Sequence, residues 1–287
     1  MSHPAYALAQ PETRTTSVIF ASPHSGRDYT DAFLRLAVLD AETIRSSEDA
    51  FVDLLYADAP KFGAPLLSAK APRAYLDLNR GLDEMDAALI AGVQRVSQNP
   101  RVASGLGIVP RVVANGRPIY AGKLTLQDAH SRVANYWRPY HDALQTLIDQ
   151  SHTAFGEAIL IDCHSMPHEA MDGINTPGVG RPEVVIGDRF GAAASPAVVE
   201  YVESAFAAAG FRVAHNMPFA GAYIAQHYGR PSCRQHVVQI EIDRALYMDE
   251  ATLELTAGFD VLRAALSGVM KEIADIGRGT QASLAAE

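Results

Sequence analysis

Residues 158–167 read AILIDCHSMP, an apolar run that ends in Asp162, His164 and Ser165 and is stopped by Pro167. β-Compatible residues followed at once by polar groups and a proline describe a buried strand that delivers side chains at its C-terminal tip. Side chains alternate along a strand, so Asp162 and His164 face one way and Cys163 the other. An imidazole at such a tip, with a carboxylate two residues earlier, suits a metal ligand, because a ligating histidine needs its second ring nitrogen oriented. A hydrogen-bonded structural histidine is the plainer alternative. Other parts of the chain have to decide between them.

A second strand, residues 17–22 (SVIFAS), runs straight into PHSG at 23–26, so His24 also sits just past a strand end. Gly26 permits a tight backbone path there and Pro23 ends the pairing. Further strands read over 64–69, over 74–78 leading into DLNR (77–80) with Arg73 just before it, and over 183–187 and 211–214. HVVQIEI at 236–242 is a strand buried on both faces that puts Gln239 and Glu241 on one of them. Helices are predicted over 48–62, with Phe51, Leu54, Leu55 and Ala59 at helical spacing and Ser46 or Ser47 as cap, and over 85–96. A long helix opens at the Thr125–Asp128 capping box and carries Val133, Trp137, Leu144 and Ile148 on one face, with Pro139 kinking or splitting it. His130 and His141 fall on it as polar-face residues that need no chemistry. Two more helices read from Ser195-Pro196 to Gly210 and over 253–276. Asn115-Gly116 predicts a surface hairpin within 108–120. Residues 168–181 and the stretch HNMPFAGAYI, with Tyr223, read as loops, and the tail as frayed.

Strands alternating with helices indicate an α/β fold with a mostly parallel sheet, here one domain over 17–287 behind a flexible lead-in at 1–16. In such sheets ligands bind beyond the C-terminal strand ends. His24, Arg80, His164 and Glu241 all come at or near such ends, and one pocket is the economical reading. The net charge of −9 argues against a nucleic-acid partner. A small anionic substrate must then be held by a few locally placed arginines. No apolar run approaches the roughly 20 residues that span a bilayer. No basic region followed by an apolar core opens the chain, and Cys163 and Cys233 make no disulfide framework. These features suggest a cytoplasmic protein without a membrane partner; oligomeric state leaves no signature.

A catalytic zinc site uses three protein ligands and leaves a fourth position for water. His24 and His164 supply two, and Asp49 or Glu48 could supply the third, although acids in a first helical turn also complement the helix dipole. The same donors suit Mn, Co or Fe. Glu241, a carboxylate within an apolar strand, is the natural general base to take a proton from water and return it to the leaving nitrogen. Burial raises its proton affinity and a metal opposes that rise. Cys163 beside His164 suggests a thiol nucleophile, but strand alternation turns it away, and it reads as a small buried hydrophobe.

PHSG, the acidic SSEDAFVDLL, DLNR, IDCHS, NMPFAGAYI and QIEIDRALYMD occur in the order, and at roughly the separations, of N-formylglutamate amidohydrolases. The resemblance covers about residues 17–249. The family is more distantly similar to zinc carboxypeptidases and aspartoacylases, which implies a phosphorylase/hydrolase-like mixed sheet flanked by helices. It implies a zinc enzyme that hydrolyses N-formyl-L-glutamate to formate and glutamate in histidine degradation. Position by position, His24 and His164 resemble the histidine ligands and Asp49 the acidic ligand, with Glu48 beside it as the alternative. Arg27 stands where the wider superfamily often places its acid, so the ligand must come from further along. Glu241 resembles the catalytic glutamate, Asn79 and Arg80 the pair that grips the substrate α-carboxylate, and Arg73 the arginine that polarises the scissile carbonyl. A guanidinium fork beside a neutral donor suits a carboxylate, and a second cation stabilises charge growing on the carbonyl oxygen. For Arg80 the plain alternative is an ion pair with Asp77 or Asp83. The second carboxylate of the substrate calls for a further cation, and Arg111 and Arg244 are both candidates. Tyr223 either closes over the substrate or packs. A zinc carboxypeptidase or N-acyl amino acid deacylase on the same fold is the alternative activity, and a non-catalytic binder of acidic amino acids a third.

Overall fold

The Val-, Ile- and Leu-rich runs form the centre of one sheet in the computed structural model, which describes residues 4–94, 99–173 and 180–278. Its seven strands are β1 (Tyr6–Ala9), β2 (Val18–Ser22), β3 (Leu66–Ala69), β4 (Ala158–Met166), β5 (Val184–Gly187), β6 (Val213–His215) and β7 (Gln235–Asp243). They are ordered β1-β3-β2-β4-β7-β5-β6. β4 pairs in parallel with both β2 and β7, whereas β5 is antiparallel to β7. The sheet is therefore mixed. Every residue of β4 is buried, as expected of a central strand covered on both faces. Within 1–16, where the sequence suggests a flexible lead-in, β1 joins the sheet.

The described residues group into two compact units. One takes those within Met1–Ala7, Pro23–Ala50 and Ser68–Ala143, the other those within Leu8–Ser22, Phe51–Leu67 and Leu144–Glu287. The principal helices are α1 (Leu126–Arg132), α2 (Arg138–Phe155), α3 (Pro196–Ala208), α4 (Tyr223–Tyr228) and α5 (Gly258–Ile276). In the second unit α3 and α5 pack on each other, α3 against β5 and β6 and α5 against β2. α2 buries Tyr140, Leu144, Leu147, Ile148 and Phe155, one amphipathic stripe. Among the described residues no helix is long and apolar enough to cross a membrane.

Several elements differ from the sequence expectation, each because a tertiary partner takes the backbone groups. The helix expected over 48–62 is only Val52–Leu55 and a 3₁₀ turn at Ala59–Phe62. Asp49 N–H donates to the His24 carbonyl at 3.1 Å, and Phe51 is left-handed at φ 64°, so neither Ser46 nor Ser47 caps the helix that begins at Val52. Residues 74–78 form no strand: Asp77 N–H goes to the Ile108 carbonyl at 2.8 Å, and the Leu78 and Arg80 carbonyls accept from His141 and Trp137 side chains, each at 2.9 Å. His141 is thus buried, not on a polar face. Residues 85–94 are turns, with Ile90–Ala91 pairing with Leu124–Thr125; 95–96 lie outside the described residues, as does the tail from 279.

Asn115 and Gly116 are both left-handed, at φ 59° and 68°, and turn the chain as their sequence predicts. A single bridge, Val112 to Pro118, stands where a hairpin was expected, and Val112, Val113 and Ile119 are buried rather than on a surface. Pro139 splits the long helix: lacking an N–H, it leaves Arg138 N–H bonding back to the Val133 carbonyl across a π-turn at Val133–Trp137. Tyr223 begins α4 instead of lying in a loop, and α5 starts at Gly258, later than expected.

Candidate metal centre

The loop that leaves β2 is packed tightly against a neighbouring segment. A Cβ on Gly26 would stand 2.1 Å from the Ala71 carbonyl oxygen, and Asp28 N–H donates to the Lys70 carbonyl at 3.0 Å. His24 is thereby buried with both ring nitrogens beside carboxylates: Nε2 is 2.7 Å from Asp77 Oδ1 and Nδ1 is 3.3 Å from Asp49 Oδ2. Asp77 is the hub. Its Oδ1 also accepts Asn79 N–H at 2.8 Å, and its Oδ2 accepts Arg73 Nε at 3.1 Å. Burial pushes the Asp77 carboxyl up, but the charges of His24, Arg73 and Arg80 and the His24 hydrogen bond outweigh it and hold the group well below the ordinary carboxylate range. Asp77 therefore stays ionised against His24. Sequence reasoning missed this role, although the DLNR motif contains the residue.

Glu48 and Asp49, adjacent in sequence, have different partners. Arg45 binds Glu48 with a fork of 3.0 and 3.2 Å, and the buried Tyr29 hydroxyl lies near the same carboxylate. Asp49, pinned through its N–H to the His24 carbonyl, turns its carboxylate to the His24 ring.

On the sheet, the β4–β7 register sets His164 opposite Glu241 and Asp162 opposite Gln239. In-register residues of parallel strands share a face, so these four side chains stand together. His164 Nε2 is 3.0 Å from Asp162 Oδ1. Gln239 Nε2 donates to Glu241 Oε1 at 2.9 Å, while its Oε1 accepts Ala222 N–H at 3.2 Å. The loop before α4 lies close over this face, for a Cβ on Gly187 would be 2.8 Å from the Phe219 carbonyl oxygen. Cys163 faces the other way, as alternation requires, where it meets Tyr56.

His24, Asp49 and His164 each offer one ligand atom, and these atoms all lie within 4.8 Å of one another. Two imidazoles and a carboxylate are the donor set of a catalytic divalent-cation site. Asp77, hydrogen-bonded to His24 Nε2, is placed as the outer carboxylate that orients such a ligand, and Asp162 lies 3.0 Å from the His164 ring. The residues present fit a metal.

The other sequence-derived positions are distributed around these groups. Arg73 joins the Asp77 cluster and its Nη1 is 4.0 Å from Asp49 Oδ1. Asn79 and Arg80 are buried in the turn held by Trp137 and His141. Arg80 donates from Nε to the Leu106 carbonyl and from Nη1 to the Asn79 carbonyl, each at 2.9 Å; its buried Nη2 has no hydrogen-bond partner among the described residues. Arg111 donates to Asp86 at 2.8 Å and to the Ala103 carbonyl at 3.2 Å. Arg244 donates from Nε to Ser165 Oγ at 3.1 Å, with Glu250 at 3.7 Å. Tyr223 stacks on His227, ring centroids 5.0 Å apart.

A mixed, helix-covered sheet, together with two histidines and an aspartate whose ligand atoms lie close to one another, defines an α/β protein with a candidate metal centre. The family model for N-formylglutamate amidohydrolase matches residues 16–248. The N-formylglutamate deformylase of Pseudomonas aeruginosa is 30% identical over 240 residues, which are 81% of this chain and 82% of that protein. The solved structure of an N-formylglutamate amidohydrolase from Ralstonia eutropha is 36% identical with a TM-score of 0.89, covering 95% of this chain and 98% of that one. A gene product of Agrobacterium tumefaciens, 15% identical with a TM-score of 0.66 over 99% of this chain and 97% of its own, shares the fold. The chain belongs to the N-formylglutamate amidohydrolase family.

Proposed function

We propose that this protein hydrolyses N-formyl-L-glutamate to formate and L-glutamate with the help of one divalent cation, zinc being the expected one. The observation that carries the reading is the approach of His24, Asp49 and His164 ligand atoms to within 4.8 Å of one another in a chain of this family. Those three residues would hold the cation. Bound there, a zinc ion supplies Lewis acidity and lowers the proton affinity of water.

The chain's own residues account for the remaining work. Glu241, in register with His164 and steadied by Gln239, takes the proton of the attacking water and returns it to the leaving nitrogen. Arg73 lies against the same carboxylate cluster and stabilises negative charge on the carbonyl oxygen. Arg80 has a buried donor left over for the substrate α-carboxylate, and Asn79 adds a neutral one. Asp77 keeps the His24 ring oriented. Tyr223, at the start of α4, contributes to the cover over the substrate. Free thiols at Cys163 and Cys233 suit a reducing cytoplasm.

Formate release, assayed together with metal content, tests this. Formate and glutamate should appear in equal amounts, activity should disappear on chelation, and zinc should restore it. Full turnover in a metal-free preparation would overturn the reading. Faster cleavage of N-acetyl amino acids or of a short peptide would replace it with a deacylase or carboxypeptidase on the same fold.

A further inference from the structure

Outside the candidate metal centre, a half-exposed imidazole is held by a buried carboxylate. His168 Nδ1 lies 2.7 Å from Asp243 Oδ2; the His168 side chain is 49% exposed and that of Asp243 4%. Asp243 Oδ1 is itself fixed by Ala245 N–H at 3.0 Å, and His168 N–H donates to Glu250 Oε1 at 2.8 Å. The His168 carbonyl accepts from Arg181. Ring and backbone are both anchored, and the ring is turned so that Nε2 is the nitrogen left to meet a ligand.

The pair stands on the face that carries His164 and Glu241. Asp243 ends β7 with the parity of Glu241, roughly 7 Å further along the strand. The turn that begins at His168 (His168–Met171) lies over the same face, because Ala170 and Met171 pack with Met166, Val185 and Phe219. Val185 is in register with Glu241 and Met166 with Asp243. From the general base outward the face therefore offers an apolar strip and then an oriented imidazole, the order of groups along a glutamyl side chain.

We propose that His168, positioned by Asp243, binds the side-chain carboxylate of the substrate and so selects N-acyl glutamates over neutral analogues. This deepens the N-formylglutamate reading and rests on it. A carboxylate docked at Nε2 places an anion on each side of the ring, one facing each ring nitrogen, and either nitrogen of an imidazole can donate. A neutral side chain at the same place would leave a desolvated donor poorly matched, which is how a polar site rejects a near-isostere. Arg111 and Arg244, the other cations considered for this role, are each committed elsewhere: Arg111 to Asp86, Arg244 to Ser165, whose strand parity is that of Cys163.

The test compares N-formyl-L-glutamate with N-formyl-L-glutamine as substrates of the zinc-loaded enzyme. Calorimetric titration of L-glutamate and L-glutamine gives a readout independent of turnover. His168→Ala should raise KM for the glutamate substrate about tenfold or more, as loss of a charge-assisted hydrogen bond does. It should leave kcat within about threefold and barely change KM for the glutamine substrate. His168→Gln, which keeps a donor, should recover part of the loss, and it carries the comparison should the alanine variant fail to fold. Asp243→Asn should shift the same ratio by less. Equal losses on both substrates, or an unchanged glutamate-to-glutamine ratio, would overturn the proposal. Inactivity of the wild type on N-formylglutamate would instead count against the proposed function. In that case a glutamate preference in calorimetry that His168→Ala abolishes would still support the subsite, and no such preference would end it.

Discussion

His164 and Glu241 ride on adjacent strands that are buried along nearly their whole length, whereas His24 and Asp49 sit in irregular backbone. The strand pair positions its groups by register alone. The ladder sets His164 opposite Glu241, with Asp162 beside the first and Gln239 hydrogen-bonded to the second. The irregular region has no ladder and replaces it with crossed bonds: Asp49 N–H to the His24 carbonyl, Asp28 N–H to Lys70, Asp77 to His24, Asn79 and Arg73. A strand tolerates loss of one side chain because its backbone is held elsewhere. A loop fastened by side chains and glycine contacts does not. The expectation is that removing the strand residue Glu241 changes chemistry alone and removing the strand ligand His164 takes the metal too, while substitutions around His24 change metal affinity together with stability.

The largest effect should come from the strand side. Glu241→Gln removes the proton acceptor while keeping the strand and the hydrogen bond to Gln239, so kcat should fall roughly 100- to 10,000-fold with metal content and melting temperature unchanged. His164→Ala should lose both metal and turnover. If Glu241→Gln also lost its metal, the separation of chemistry from architecture on the strands would fail.

Gly26→Ala probes the irregular side at its tightest contact. The added methyl would meet the Ala71 carbonyl oxygen at 2.1 Å, and a backbone atom cannot swing away. The segment must shift, with a cost of about 1–3 kcal/mol by the usual scale of overpacking. Thermal unfolding should show that loss, and zinc titration should show weaker binding, because Asp49 hangs from the His24 carbonyl. Unaltered stability would mean that the loop is not braced as described.

Asp77→Asn should act more narrowly. The amide keeps the shape but no longer supplies the charge that orients the His24 ring, and loss of such an outer carboxylate typically weakens metal binding about 10- to 100-fold. Competition with a chromogenic chelator reads this directly. Activity at saturating zinc should recover most of its wild-type value, which distinguishes a positioning residue from a ligand.

The two regions also differed in how far the sequence revealed them. β2, β4 and β7 are legible because buried parallel strands are written as unbroken runs of Val, Ile and Leu, and their tips point to His24, His164 and Glu241 as candidates. Residues 74–78 read as a strand running into DLNR because nothing local says that the Leu78 and Arg80 carbonyls go to His141 and Trp137, residues about sixty positions later. The helix expected from Glu48 onward fails for a related reason: Asp49 spends its N–H on His24, and left-handed Phe51 interrupts the turn. Periodicity reports which side chains are apolar; it carries no record of a backbone group claimed by a distant partner. The choice between Asp49 and Glu48 needed Arg45, whose fork on Glu48 is a local pair that side-chain spacing could have suggested.

Cys163 offers the smallest expected effect and the sharpest check on strand parity. It lies between Asp162 and His164 in sequence, yet its thiol points to the opposite face, donating to the Ile161 carbonyl at 3.4 Å and meeting Tyr56. Burial first, and the nearby Asp162 charge second, push the thiol well above its ordinary pKa, and raising the pKa of an acid keeps it in the neutral, unreactive form. Raising the pH from 7 to about 9 should therefore not expose Cys163 to iodoacetamide in the native protein, while exposed Cys233 is labelled. Cys163→Ala should leave kcat within about twofold, since removing one buried sulfur affects packing more than chemistry. Native-state alkylation at Cys163 that tracks loss of turnover would put a nucleophile on the wrong side of β4, and the assignment of its two faces would have to be reversed.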